Sequence, residues 1–303
     1  MRKTKDVTLN ISSDDVLKMI EHEEKTLKVS SKGMLKDLKD SRERFDKFAK
    51  KLKILGPEGE EEFKPFTWQK NLGLAFQQAY ESKKKYQRNF VVVNPRQGGM
   101  TTLLCAYALW LASTKPCKRV GILCGSHMQG VEKMLRIQAM YDSLPNYLKK
   151  PIKKRRKDLL EFTDGSYIYA THAHRSEVLG KTLDLVILDD ASFIRDLYDF
   201  FKCYLPMHSA MCVNSKTDKP QMIVTSAAKP GTAFADLYGK AVGKKSLFRK
   251  VRIPWDCRPG RDKAWKEKII RDYGQAFFDF EYDGKFASYS EPPIQKSDPK
   301  KSK

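Results

Sequence analysis

Phe90-Val91-Val92-Val93-Asn94-Pro95-Arg96-Gln97-Gly98-Gly99-Met100-Thr101-Thr102 runs from four strand-forming residues, through a proline and two glycines, to two threonines that lead into the apolar stretch Leu103 to Ala112. Strand, glycine-rich turn and helix start together make a cradle for phosphate. Glycines let backbone N–H groups approach the oxygens, and the helix N-terminus adds its dipole. The Thr101 hydroxyl stands where Ser or Thr ligates Mg²⁺ in such loops. The strict pattern G-x-x-x-x-G-K-[ST] is broken twice. Asn94 occupies the first glycine position and Met100 the lysine position. A thioether cannot act as a cation toward a triphosphate.

Outward from this loop, apolar runs of strand length alternate with helix-length amphipathic stretches. Phe90–Val93, Arg119–Cys124, Leu183–Leu188, Met222–Thr225 and Phe248–Ile253 read as strands, and Thr101–Ser113 and Gln129–Leu144 as helices. Leu159–Phe162 and Ser166–Ala170 flank Asp164-Gly165 and read as a hairpin. The unbroken run Leu185-Val186-Ile187-Leu188 predicts a strand covered on both faces. The pattern is that of an α/β domain with a mostly parallel sheet. Leu185–Leu188 ends in Asp189-Asp190. Phosphate-loop hydrolases need one acid at such a strand end to hold Mg²⁺ and another to activate water. Asp189 is the metal candidate and Asp190 the base candidate.

Residues 1–55 read as charged helices: Ser12 to Asp15 cap one bearing Val16, Met19 and Ile20, and Leu35, Leu38, Phe45, Phe48 and Leu52 mark a second. Gly56-Pro57-Glu58-Gly59 and Glu60 to Glu62 read as a linker. The expected organisation is a helical appendage and linker over 1–62, a main domain over 63–286 and a basic tail over 287–303. The segment Tyr273–Tyr282 reads as one helix packed on the sheet. Trp110, Trp255 and Trp265 read as packing residues, and His172 and His174 as solvent-facing histidines at a strand end.

The chain has 303 residues, 41% of them apolar, which excludes wholesale disorder. No run of about 18 apolar residues occurs, which excludes a membrane-spanning helix, and the N-terminus has no secretory apolar core. Six scattered cysteines without a C-x-x-C pair point to reduced thiols rather than a disulfide framework or zinc site. Lys and Arg number 58 against 37 Asp and Glu, a net charge of +21. Such an excess points to a polyanionic partner. The densest cluster holds Lys149, Lys150, Lys153, Lys154, Arg155, Arg156 and Lys157. It reads either as a solvated loop tip or as a contact for a phosphate backbone.

These motifs, in this order, resemble the large subunit (packaging ATPase) of tailed-phage terminases of the T-even kind, over about Phe63 to Phe286. Phe66-Thr67-Trp68-Gln69 resembles the family's adenine-recognising motif. Pro95 to Thr102 resembles its variant phosphate loop, in which an Arg-Gln pair precedes Gly-Lys-Thr-Thr. Leu185 to Asp190 resembles the metal-binding strand, and Ile223-Val224-Thr225-Ser226-Ala227 the coupling motif. The resemblance implies a P-loop NTPase fold of the ASCE type, a mostly parallel sheet flanked by helices, with ATP and Mg²⁺ as cofactors. It implies that Trp68 and Gln69 meet adenine, that Gln97, Gly98, Gly99, Thr101 and Thr102 hold phosphates, and that Thr101 and Asp189 hold Mg²⁺. By the same resemblance Asp190 positions water, Arg96 contacts phosphates, and Thr225 and Ser226 couple hydrolysis to movement. It further implies a homo-oligomeric ring acting on double-stranded DNA with a portal protein and a small terminase subunit, at the procapsid portal vertex in the host cytoplasm.

The sequence departs from that family pattern at Met100, at Asp190 where glutamate is commoner, and at Leu179 where an arginine is usual. No nuclease domain is expected within 303 residues. Three arrangements answer the missing lysine: Arg96 replaces it, a neighbouring subunit supplies a cation, or the site binds nucleotide and hydrolyses it poorly. Arg96 is the first expectation, since guanidinium pairs well with phosphate. The last arrangement describes a non-catalytic nucleotide- and DNA-binding subunit derived from such an ATPase.

Overall fold

The computed structural model describes residues 32–56, 59–82, 88–214, 220–243 and 246–286. The helix expected around Val16 to Ile20 and the basic tail lie outside the described residues. In chain order the elements are α1 (32–43), α2 (Phe45–Ala49), β1 (Lys53–Gly56), β2 (Gly59–Glu62), α3 (Thr67–Glu81), β3 (Asn89–Val93), α4 (Met100–Thr114), β4 (Arg119–Cys124) and α5 (His127–Asp142). There follow β5 (Ile152–Arg156), β6 (Leu159–Phe162), β7 (Tyr167–His172), β8 (Leu185–Leu188), α6 (Leu197–Asn214), β9 (Gln221–Ser226), α7 (Ala233–Lys240), β10 (Phe248–Arg252), α8 (Lys263–Tyr273) and α9 (Gln275–Glu281).

Eight strands form one sheet in the order β10-β3-β9-β8-β4-β7-β6-β5. The first six are mutually parallel, and β6 and β5 add an antiparallel hairpin at the edge. The period-2 alternation of strands sends side chains to two cores. Phe90, Val92, Ile122, Ile187 and Ile223 face α2 to α5, whereas Val91, Val93, Leu123, Val186, Leu188 and Val224 face α6 and α7. Both faces being covered, β3, β8 and β9 are buried along their whole length. Helix α4 is buried from Leu103 to Ser113 because it lies between the sheet and other helices, which explains its apolar composition on every side. Its Tyr107 and Trp110 rings pack against Phe45 of α2 at 5.6 and 6.0 Å. Phe45, Phe48 and Leu52 are fully buried in the same core as α3 and α4.

Three local readings need correction. Gly59 to Glu62, read as part of a linker or loop, pair antiparallel with Lys53 to Gly56 as β1 and β2. The basic cluster is not a loop tip: Ile152–Arg156 is the edge strand β5, joined to β6. Its one inward residue, Ile152, packs on the core while its cations face outward, and an edge lined with Lys and Arg discourages pairing with another chain. Tyr273 to Tyr282 is not one continuous helix: Tyr273 ends α8, Gly274 interrupts, and Gln275–Glu281 form α9.

The amino ends of the central strands are knitted by buried amides. Gln221 accepts from Tyr107 Oη at 3.0 Å and donates to the Phe76 and Arg88 carbonyls, each at 3.0 Å. Asn89 Oδ1 accepts from Met222 N at 2.8 Å. Helix α5 approaches β7 closely through Gly130, where an added Cβ would sit 2.9 Å from the backbone of Ala170 and Thr171. Backbone on both sides cannot yield. Gly130→Ala is therefore expected to lower stability by about 1–3 kcal/mol, read as a lower urea midpoint at unchanged m.

Candidate functional site

The carboxyl ends of β3, β8 and β9 open onto the start of α4, where the sequence placed its loop and its acids. They enclose a crevice of about 330 Å³ lined by Asn94 to Thr102, Asp189, Asp190, Phe193, Ala227, Arg136 and Arg258. The first-turn N–H groups of α4 have no helical acceptor and sum to a partial positive charge at its mouth. Gly99 caps this helix at φ +97°, a conformation that side chains resist, and a Cβ there would also meet Gln69 Nε2 at 2.8 Å. Gln97 takes φ +54° just before it, so the turn is held in an uncommon shape.

Asp189 is the centre of the arrangement and is 2% exposed. Its Oδ2 accepts from Thr101 Oγ1 at 2.8 Å, and its Oδ1 from Thr225 Oγ1 at 2.9 Å. Lys133 of α5 brings Nζ to 3.3 Å from the same Oδ2, and both side chains of this pair are buried. Burial, the largest influence, pushes the Lys133 ammonium down, but Asp189, with Cys124, Asp190 and Cys105 adding to it, holds it above its usual range. Asp190, at φ +58°, faces the crevice, and burial first and Asp189 second push its carboxyl up. Ser226 Oγ accepts from Ser192 N at 3.0 Å, and its carbonyl accepts from Asn94 N at 3.0 Å. The two coupling-motif residues thus bridge β9 to the acid, to the turn after it and to the loop.

Arg96 lies at the rim. Its Nε donates to Glu281 Oε2 of α9 at 2.5 Å, and its guanidinium stands 5.7 Å over the Phe193 ring. The rest of the loop is tied to the same C-terminal segment. Arg96 N donates to Glu281 O at 2.8 Å, Arg261 to Arg96 O at 2.7 Å and Arg258 to Gln97 O at 2.8 Å. Arg261 in turn lies between the Trp265 and Tyr282 rings, at 4.9 and 5.2 Å. Trp255 and Trp265 stack on one another in this region.

Gln69 sits behind the loop, not in the crevice lining. Its Oε1 accepts from Phe66 N and its Nε2 donates to Gly99 O, both at 2.8 Å. Trp68 is half-buried against the core, also outside the crevice lining. In the basic cluster, Lys150 donates to Asp164 at 2.6 Å and to the Ala112 and Lys115 carbonyls. Lys149, Lys153, Arg155 and Arg156 also have partners, respectively the Asp142 carbonyl, Glu161, Asp142 and Asp158. Lys154 and Lys157 stand exposed and without a partner among the described residues.

Lys133, Arg136 and Arg258 escaped the sequence reading. For Lys133 a signal existed: it falls on the stripe Gly130, Met134, Ile137 that α5 buries, where a lysine needs a partner. For Arg258 none existed, because its partner Gln97 is 161 residues away.

Oxygens from one threonine and one carboxylate, 2.8 Å apart, suit a hard divalent cation that takes its remaining ligands from phosphate and water. No cluster of three or more His, Cys, Asp or Glu side chains occurs among the described residues, so no protein cage competes with that arrangement. Asn94 Oδ1, buried at the crevice wall, has no hydrogen-bond partner there.

Sheet order, loop and acid strand define an α/β domain of the phosphate-loop type. The chain belongs to the terminase large subunit family, T4likevirus-type, whose N-terminal profile matches residues 91–298. Similar solved structures include the large terminase ATPase domain of Thermus phage P74-26, at 19% identity and TM-score 0.56, covering 74% of this chain and 95% of that one. The large terminase of the thermophilic bacteriophage D6E matches at 16% identity and TM-score 0.56, and that of bacteriophage HK97 at 18% and 0.54. Those alignments cover 74% and 76% of this chain but 54% and 47% of the others, so the chain spans about half of their length. The D6E protein has also been solved with ATP-gamma-S and with ADP. At these identities the structural likeness establishes the fold.

The Thr225 hydroxyl is the sole tie among the described residues between β9 and the Asp189 carboxylate. Thr225→Val keeps the shape and removes that donor from a buried charge. The expected loss is about 1.5–3 kcal/mol of stability, measured by urea unfolding.

Proposed function

We infer that this chain is an ATP-hydrolysing motor domain that moves double-stranded DNA during viral genome packaging. One observation carries the reading: Thr101 from the loop helix and Thr225 from β9 converge on the buried Asp189, at the carboxyl edge of a parallel sheet. On this reading the loop N–H groups and Thr102 bind the phosphates, while Thr101 and Asp189 hold Mg²⁺. The metal, when bound, neutralises charge on the phosphate oxygens. Asp190 orients the attacking water from the crevice wall. Trp68 and Gln69 act on the adenine side, Gln69 through its grip on Gly99. Thr225 and Ser226 convey the change at Asp189 into β9, and Arg96 keeps the loop in register with α9.

The acceptor of the mechanical work is DNA, gripped by its backbone, in keeping with the +21 charge. Lys154 and Lys157 are the cations of the basic cluster best placed for it. The working form is a homo-oligomeric ring on a portal protein, recruited with a small terminase subunit at the procapsid vertex in the host cytoplasm. No described helix is long and apolar enough to cross a membrane.

A second reading, a nucleotide- and DNA-binding subunit without turnover, rests on Met100. The two separate in a phosphate-release assay with and without DNA and the packaging partners. DNA-stimulated release supports the motor, and its absence supports the binding subunit. In the motor, Asp190→Asn should cut turnover by about 10²–10⁴-fold; unchanged turnover removes Asp190 from its role. Replacing Lys154 and Lys157 together by alanine should reduce the slope of log affinity against log salt by about 2, measured by DNA binding across salt concentrations.

A further inference from the structure

The buried ion pair at the crevice floor bears on the missing loop lysine. In the usual phosphate loop the ammonium issues from the residue before the metal-binding threonine. Here that residue is Met100, 3% exposed and packed in the core. Yet a buried ammonium lies just behind this floor, against Asp189, without itself lining the crevice. Lys133 Nζ lies 3.3 Å from the Asp189 oxygen that Thr101 Oγ1 contacts at 2.8 Å. The two contacts together put the ammonium no more than 6.1 Å from the Thr101 hydroxyl.

A buried charge is costly, and a buried ion pair is rarely the most stable solution to packing. Besides Asp189 and Asp190, the groups near Lys133 are Met134 and Ile137 on its own helix and the thiols of Cys105 and Cys124. Its helix is brought close by Gly130, one turn earlier, which leaves no room for a side chain against β7. The rival cations at the crevice are less suited. Arg96 is engaged by Glu281, Arg258 by the Gln97 carbonyl, and Arg136 is exposed.

We propose that Lys133 supplies, from α5, the ammonium that Met100 cannot, and that it contacts the terminal phosphate oxygens of the bound nucleoside triphosphate. The phosphate oxygens beside Asp189 compete with it for the ammonium, and a divalent cation on Oδ2 adds to that competition. The ammonium then turns from the carboxylate to the anionic oxygens beside it. The pairing with Asp189 is the resting position of a substrate-binding cation.

This inference rests on the nucleotide reading given above, and the test separates the two. A fluorescent ATP analogue is titrated onto wild type, Lys133→Met, Arg136→Ala and the double variant Lys133→Met/Met100→Lys, once with Mg²⁺ and once in EDTA. Thermal unfolding of each variant is followed in parallel. The EDTA arm reads the ammonium–phosphate contact without the metal. Lys133→Met should weaken binding at least tenfold in both arms, Arg136→Ala should do so less, and the double variant should recover most of the loss. Recovery by a lysine at position 100 is something that a merely structural Lys133 would not give. Should Lys133→Met fail to fold, the double variant still has an ammonium beside Asp189, and its binding decides. A folded double variant that does not bind, or a Lys133→Met protein that binds like wild type, overturns the assignment of Lys133 alone. Wild-type protein that binds no triphosphate overturns the nucleotide reading as well.

Discussion

The architecture converges on one carboxylate. Asp189 draws a hydroxyl from the helix after β3, a hydroxyl from β9 and an ammonium from the helix after β4. Three segments far apart in sequence are thus referred to a single buried charge. The low polarity of the surroundings strengthens each of these contacts and makes the loss of any partner expensive. Because β9 lies between β3 and β8, its threonine touches the acid while its neighbouring serine touches the loop strand. β9 thus links the acid to the loop strand through two neighbouring residues.

A second set of contacts holds the loop from outside. Arg96 and Gln97 are bonded to Arg258, Arg261 and Glu281, which lie on the segment following β10. Glu281 uses both its carboxylate and its carbonyl on Arg96. The aromatic stack around Arg261 gives this clamp a solid backing. The glycine-rich turn is therefore shaped from two sides, by Gln69 behind it and by α9 at its rim.

Much of this was legible from the chain itself. Runs such as Phe90–Val93 and Leu185–Leu188 declare themselves because strands buried on both faces have no polar positions to blur them. The loop and the paired acids follow from local chemistry. The edge strand β5 was illegible because Ile152-Lys153-Lys154-Arg155-Arg156 has one apolar residue, and its cations find Glu161, Asp142 and Asp158 only in three dimensions. The resemblance assigns Gln69 to the base; its bonds to Phe66 N and Gly99 O are additional contacts that no pattern of spacing reveals. Lys133 was hidden by company: Glu132 and Arg136 beside it are solvent-facing or partly so, and one buried lysine among them resembles the rest.

The Lys133–Asp189 pair ties two codons together. Losing one partner of a buried ion pair typically costs about 3–5 kcal/mol, a large fraction of what holds a domain folded. Neither partner can be removed alone without leaving the other charge buried and unpaired, so one substitution at either end reaches both the sheet and α5.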